Sequence, residues 1–230
     1  WVDDPNVFFH IDSDDTVTVV NNRAEMGQGI RTSLVLLAAD ELGADWDRVK
    51  VRQAEANQEK YGNQNTDGSR SMRHWYDPMR RAAAAARLML EQAAANQWSV
   101  PLHEVRTDIH KVIHTPSGKE LGFGELATAA RELDVPGRND LVLKTDDELR
   151  FIGRESGYIN GKLESAQPKA IDGEDIVTGK AIFGADVDVD NPLYAVIARP
   201  PVYGAQLESY DDTEALKVPG VEKTMEIKGT

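Results

Sequence analysis

The 230-residue sequence contains no cysteine. That excludes a disulfide framework, a thiolate zinc site and an iron–sulfur cluster held by this chain itself. It also lacks any long apolar run: the longest, residues 34–39, falls far short of the roughly 20 residues a membrane-spanning helix needs. Positive charge is scarce, with 26 basic residues against 39 acidic and a net charge of −13. This disfavours nucleic acid or anionic lipid as a general partner, because phosphate surfaces are held by a surplus of Lys and Arg. No Gly-Lys-Ser/Thr follows a glycine-bearing loop, so there is no P-loop, and Gly27-Gln28-Gly29 lacks the third glycine of a dinucleotide fingerprint. The five histidines offer no metal-ligand spacing apart from His110 and His114, which fall in an expected strand and hairpin, where four apart does not put both on one helix face. Asp186, Asp188 and Asp190 alternate but lack the glycine and terminal Glu of a calcium loop, and read as a solvated edge. No secretory signal is present, and the chain opens on Trp1 with no initiator Met, so processing or truncation upstream is expected.

What is present is an ordinary globular composition, 40% hydrophobic and 28% charged, in a length that admits one large or two small domains. Residues 6–11 and 16–20 flank Asp12-Ser13-Asp14-Asp15 and read as a hairpin. Apolar residues at helical spacing predict a helix over 29–42, closed by Gly43, then a strand over 49–55. A long Ala-rich helix is expected over 69–97, kinked or restarted at Pro78, with Ala82 to Ala86 packing closely on a neighbour. The basic residues along it (Arg73, Arg80, Arg81, Arg87) read mostly as a solvated face. A short helix start at 99–102, a hairpin of 108–114 with 120–122 turned by Pro116-Ser117-Gly118-Lys119, and a helix over 124–133 complete a first unit, 1–147. Residues 148–170 read as a connector, and 171–230 as a strand-rich α/β piece with strands at 193–199, 206–210 and 221–227.

Two junctions carry the chemistry. Glu25-Met26-Gly27-Gln28-Gly29-Ile30-Arg31-Thr32 lies between an expected strand and a helix, where glycines let backbone approach a ligand and helix-start N–H groups face an anion. Thr66-Asp67-Gly68-Ser69-Arg70-Ser71 repeats that arrangement at the start of the long helix, with Arg70 placed to pair with a phosphate. Either alone is a common turn. Together they suit two ends of one phosphate-containing cofactor.

These two segments, with Thr32 and Pro78-Met79-Arg80-Arg81, resemble the molybdopterin-binding subunit of the xanthine dehydrogenase and aldehyde oxidase family. Asp175-Ile176-Val177-Thr178-Gly179-Lys180-Ala181, Phe183-Gly184-Ala185-Asp186, Ala198-Arg199-Pro200-Pro201 and Pro219-Gly220-Val221 resemble the start of that family's α/β hammerhead domain. The order, with Gly-Gln-Gly ahead of the hammerhead, is similar to the isoquinoline 1-oxidoreductase β-subunit type. The resemblance implies an α+β fold: a molybdopterin-binding α/β domain portion followed by the start of a hammerhead domain. It implies a molybdopterin cytosine dinucleotide bearing molybdenum, with Gln28 hydrogen-bonding the pterin near the metal and Gly27, Gly29 and Thr32 around it. Gly68, Ser69, Arg70 and Ser71 would hold the pyrophosphate. The implied reaction oxidises an aldehyde to a carboxylic acid with oxygen from water, or hydroxylates an N-heterocycle. Electrons would pass to a [2Fe-2S] small subunit and a cytochrome c subunit carrying haem c, in a periplasmic complex at the inner membrane.

The family also needs a Gly-Gly-x-Phe-Gly type loop and a general-base glutamate in a Gly-x-Gly-Glu context. Neither is expected in this chain, so no catalytic or metal-ligating residue is assigned to it. The remaining part of the large subunit, carrying that glutamate, is an expected partner. Two alternatives stand beside this reading: a non-catalytic cofactor-binding module, and a scaffold whose loops are empty structural turns.

Overall fold

The computed structural model describes residues 4–154, 157–159, 162–164 and 169–227. Pro5–Phe8 forms a single helical turn, α1, because Asp4 accepts the Asn6 N–H and Pro5 sits at the first helical position. The expected first strand therefore shortens to β1 (Phe9–Ile11), which pairs antiparallel with β2 (Val17–Asn21) through Phe9↔Val19 and Ile11↔Val17. The chain then enters α2 (Ile30–Leu42), bounded by Gly29 and Gly43, both at positive φ. At those positions a Cβ would be strained, so the two glycines fix where α2 begins and ends. β3 (Val49–Gln53) returns parallel to β2, in register from Val17↔Val49 to Asn21↔Gln53.

A further turn of helix, α3 (Gln58–Tyr61), precedes α4 (Arg70–Trp98), whose 29 residues run unbroken through Pro78. At about 1.5 Å per residue α4 is roughly 43 Å long. It packs along α2, and Ala82, Ala83, Ala84 and Ala85 are almost fully buried, so the two backbones approach closely. Flanked by the sheet and α4, α2 is apolar nearly all round; Leu34, Leu37 and Leu42 are wholly buried. Two of its charged residues, Asp40 and Glu41, are buried as well. Glu41 accepts from Arg80 and Arg87, and Asp40 accepts the backbone N–H groups of Arg150, Phe151 and Ile152. Arg80 and Arg87 are thus not the solvated face expected from sequence, because α2 places a buried carboxylate against them.

β4 (Val105–Asp108), β5 (Lys111–His114) and β6 (Lys119–Gly122) form an antiparallel meander. The expected strand over 108–114 is broken at Ile109-His110, where His110 takes positive φ and the chain reverses. α5 (Phe123–Arg131) then packs against α4. Within the expected connector, β7 (Gly157–Ile159) and β8 (Lys162–Glu164) pair antiparallel; beyond it, α6 (Gly173–Thr178) ends at Gly179.

The chain divides into two compact units, Trp1–Ala181 and Ile182–Thr230. The second has short 3₁₀ turns at Gly184–Asp186 and Ala215–Lys217 and, among its described residues, no strand. The three strands expected at 193–199, 206–210 and 221–227 do not form. Their apolar residues stay exposed, Tyr194 at 95% and Val196 at 100%. A strand is stable only when a neighbour satisfies its N–H and C=O groups and covers one face, and neither condition is met here.

Candidate functional site

Because β2 and β3 run parallel side by side, the loops that follow them leave the sheet at the same edge. In α/β units that carboxyl edge is where ligands bind. Residues 22–29 join β2 to α2, and residues 54–69 join β3 to α4. The structure brings the two sequence-marked loops together and fastens them. Asn21 Nδ2 donates to Gln53 Oε1 at 2.9 Å, Asn22 Nδ2 to the Tyr61 carbonyl at 2.9 Å, and Thr66 Oγ1 to the Ala24 carbonyl at 3.0 Å.

The first loop is organised by Glu25. One carboxylate oxygen accepts from the N–H groups of Gly27 (2.7 Å) and Gly29 (2.9 Å), the other from Arg31 (2.9 Å). Partial burial alone would raise its pKa; the N–H groups of Arg31, Gly29 and Gly27 outweigh that and hold it below the ordinary 4.5. Glu25 thereby occupies the anion position at the start of α2, so this loop caps itself. Gln28 is exposed, its Oε1 accepting from the Met26 N–H at 2.6 Å and its Nε2 donating to the Ala24 carbonyl at 3.0 Å. A primary amide has two donors and two acceptor sites, so one of each remains for a ligand. A Cβ built on Gly27 would meet nothing within 4 Å, which leaves that backbone open to close approach. Thr32 is buried, and its hydroxyl oxygen accepts from the Ile171 N–H at 3.0 Å, tying the later chain to α2.

The second loop is built differently. Gly68 and Ser69 both take positive φ, 50° and 54°, and no side chain caps α4. Its leading N–H groups are therefore free of a competing carboxylate, unlike those of α2. Arg70 lies at the first helical position, its guanidinium paired with Asp67. That hydrogen bond lowers the Asp67 pKa and raises that of Arg70. Ser71 is buried, and its Oγ accepts from Arg23 Nε at 3.1 Å.

Arg23 is the residue that sequence reading passed over. Only 2% exposed, it also donates from one terminal nitrogen to Asn63 and from the other to the Asn65 carbonyl. Its partners lie 40 to 48 residues away, so no local pattern pointed to it.

A literal Gly-x-Gly-Glu does occur, as Gly122-Phe123-Gly124-Glu125, which corrects the expectation that the string is absent. It sits elsewhere and does something else. Glu125 Oε2 accepts the Gly122 N–H at 2.8 Å to cap α5, and Gly124 N–H donates to Asp15 just before β2. That is the amino edge of the sheet, one strand length (about 17 Å) from the two loops. His110 and His114 are both buried and hydrogen-bonded, His110 to Asp45 and Asp15, His114 to Ser117 and Glu104. Among the described residues, no group of three His, Cys, Asp or Glu could hold a metal ion.

A family model for the molybdopterin cofactor-binding domain matches residues 3–191. The chain is 35% identical to the β-subunit of the isoquinoline 1-oxidoreductase of Brevundimonas diminuta, over 97% of this chain and 32% of that protein. It is 32% identical to a membrane-bound aldehyde dehydrogenase (pyrroloquinoline-quinone) of Gluconacetobacter polyoxogenes, over 94% and 27%. It is 28% identical to one of the subunits of the nicotinate dehydrogenase of Pseudomonas putida, over 94% and 18%. The chain spans a third or less of the length of these curated relatives.

Proposed function

The chain belongs to the molybdopterin cofactor-binding domain family, and from that premise we propose that it forms part of the cofactor cage of a molybdenum hydroxylase. The observation that carries this reading is the meeting of two glycine-bearing helix entries at one edge of a parallel strand pair, joined by Thr66 and Arg23. The residues fit the group. Gln28 keeps a free donor and acceptor for a pterin ring, with Gly27 and Gly29 admitting it close to the backbone. Gly68, Ser69, Arg70 and Ser71 offer helix-start N–H groups, hydroxyls and a guanidinium to the pyrophosphate of a cytosine dinucleotide form. Thr32 supports the first entry from inside α2. When bound, the group supplies the redox centre at which a substrate C–H is oxidised with oxygen from water. These residues bind and orient it; none of them is proposed to move a proton.

In this reading 1–147 is the cofactor-binding portion, 148–170 a connector and 171–230 the beginning of a hammerhead domain. Its three expected strands would form only against the rest of that domain. The general-base glutamate belongs to the remaining part of the large subunit, and electrons leave through a [2Fe-2S] small subunit and a haem c–bearing cytochrome subunit. The substrate is an aldehyde, as named for a relative 32% identical, with an N-heterocycle as the second reading, as named for one 35% identical. The complex is assigned to the periplasmic face of the inner membrane; among the described residues no helix is long and apolar enough to cross a membrane.

Elemental and nucleotide analysis of the native complex tests the proposal. Stoichiometric molybdenum with cytidine nucleotide is the expected result. An active complex free of molybdenum would refute it.

A further inference from the structure

The amino edge of the sheet is fastened by the side chain of His110. The residue is 4% exposed and takes positive φ, 63°, at the reversal between β4 and β5. Its own N–H donates to the Gly43 carbonyl at 2.8 Å, just past the end of α2. Its ring reaches two further segments. The Asp45 N–H, in the loop from α2 to β3, donates to Nδ1 at 3.0 Å. Nε2 lies 2.6 Å from the Asp15 carbonyl, in the turn between β1 and β2. The ring face stacks on Phe123, the first residue of α5, with centroids 4.7 Å apart. One side chain thus joins the meander and α5 to partners 65 and 95 residues away.

These partners admit one protonation state. A backbone N–H only donates and a carbonyl only accepts, so Nδ1 must be bare and Nε2 must carry the hydrogen. A proton added at Nδ1 would set one N–H against the Asp45 N–H, and an imidazolium has no acceptor to offer. The charges facing the ring offset this only in part, because each is engaged elsewhere. The Asp15 carboxylate accepts from the Gly124 N–H at 2.6 Å and from Arg48 at 3.2 Å, and that of Asp45 from the Asp47 N–H at 3.2 Å. Lys111 pairs with Glu120, and Glu125 caps α5. These six side chains and His110 line a cavity of about 670 Å³, which gives water a route to the ring. Burial holds the ring's pKa below the ordinary 6.5; Asp15 and Asp45 oppose that shift and Arg48 adds to it. We infer that His110 is an acid-released clasp: neutral, it holds the β4–β6 meander and α5 against the β1–β2 turn and the α2–β3 loop, and protonation lets that corner open. The two glycine-bearing loops lie at the other edge of the sheet and stay closed. The inference does not rest on the cofactor-cage reading.

The sign and size follow from linkage. The folded ring resists the proton, so the hold is complete above 6.5 and is lost as pH falls from there toward the folded value. A ring freed by opening titrates near its ordinary value, so between pH 7 and pH 5 the open population rises by about 25-fold if the closed ring stays neutral. Amide exchange of the full chain at the two pH values, corrected for intrinsic rates, reads this at the N–H groups of Asp45, His110 and Gly124. Their protection should fall by roughly that factor, while the Gly27 and Gly29 N–H groups held by Glu25 keep theirs. His110→Asn removes the titration but leaves an oxygen for the Asp45 N–H, and Asn tolerates positive φ. In that variant protection at the corner should be the same at both pH values. Should it fail to fold, ring resonances of the unaltered chain decide: the Nε2–H tautomer with a midpoint below 6.5 supports the clasp. An Nδ1–H tautomer, or a midpoint at 6.5 or above, overturns it. A change in protection below about three-fold in the unaltered chain, an equal loss at the Gly27 and Gly29 N–H groups, or a pH dependence retained by His110→Asn overturns it as well.

Discussion

Replacing Glu41 by Gln should be among the most destabilising single changes available to this chain. Glu41 is fully buried, and its two oxygens accept from Arg80 Nε at 2.8 Å, from Arg87 at 3.0 Å and from the Lys144 N–H at 2.8 Å. Both guanidiniums are nearly buried, with side chains 10% and 12% exposed. Gln fills the same volume but removes the charge. Its amide nitrogen also turns a donor toward groups that are all donors. Breaking a buried pair in this way leaves uncompensated cations and costs about 3–5 kcal/mol. For a cooperative unit of this size, 1 kcal/mol corresponds to roughly 2–4 °C, so the melting temperature should fall by roughly 6–20 °C. Urea denaturation followed by tryptophan fluorescence measures this directly, since Trp75 and Trp98 lie on α4. Amide exchange should also rise over 142–152, because Lys144 and Arg87 anchor that segment to α2. Replacing Glu41, Arg80 and Arg87 together by Met should recover much of the loss, because no charge is then left buried alone. A Glu41→Gln loss below about 1 kcal/mol would refute the argument that these guanidiniums depend on Glu41.

Three further outcomes follow from the geometry. Glu25→Gln removes a carboxylate that three N–H groups hold below its ordinary pKa. The stabilisation is present above 4.5 and lost as pH falls through the folded value, so the variant should cost about 0.5–2 kcal/mol at pH 7 and little in acid, read from melts at both pH values. Glu91 is the opposite case. Burial raises its pKa despite the Thr107 N–H it accepts at 2.8 Å, so stability present below 4.5 is lost as pH rises through the folded value. Glu91→Gln should raise the melting temperature at neutral pH, and the gain should vanish in acid. Gly124→Ala would place a Cβ 2.7 Å from the Asp12 carbonyl and 2.9 Å from that of Ser13, forcing α5 off the β1–β2 turn. A loss of about 1–3 kcal/mol by urea denaturation is expected.

Local features of the chain were legible in its sequence because their causes are local. Gly29 and Gly43 bound α2, apolar spacing gives α2 and α4, Pro116-Ser117-Gly118-Lys119 turns the β5–β6 hairpin, and the two glycine-bearing helix entries mark the candidate site. The strands expected at 193–199, 206–210 and 221–227 rested on the same kind of local signal, yet strand propensity does not make a strand without a neighbour to bond, and among the described residues that unit has none. The placement of the two loops beside each other came from the parallel pairing of β2 with β3, a contact across some 32 residues that no window of sequence contains. The same holds for Arg23 and Glu41. Their residue types are ordinary, and only the packing of α2, α4 and the loops decides that one buried cation meets a carboxylate while the other does not. Composition and short-range pattern determined which segments could become helix, turn or ligand-facing loop. Burial and charge pairing are set by groups far apart in the chain, so only the tertiary structure decided what each residue does.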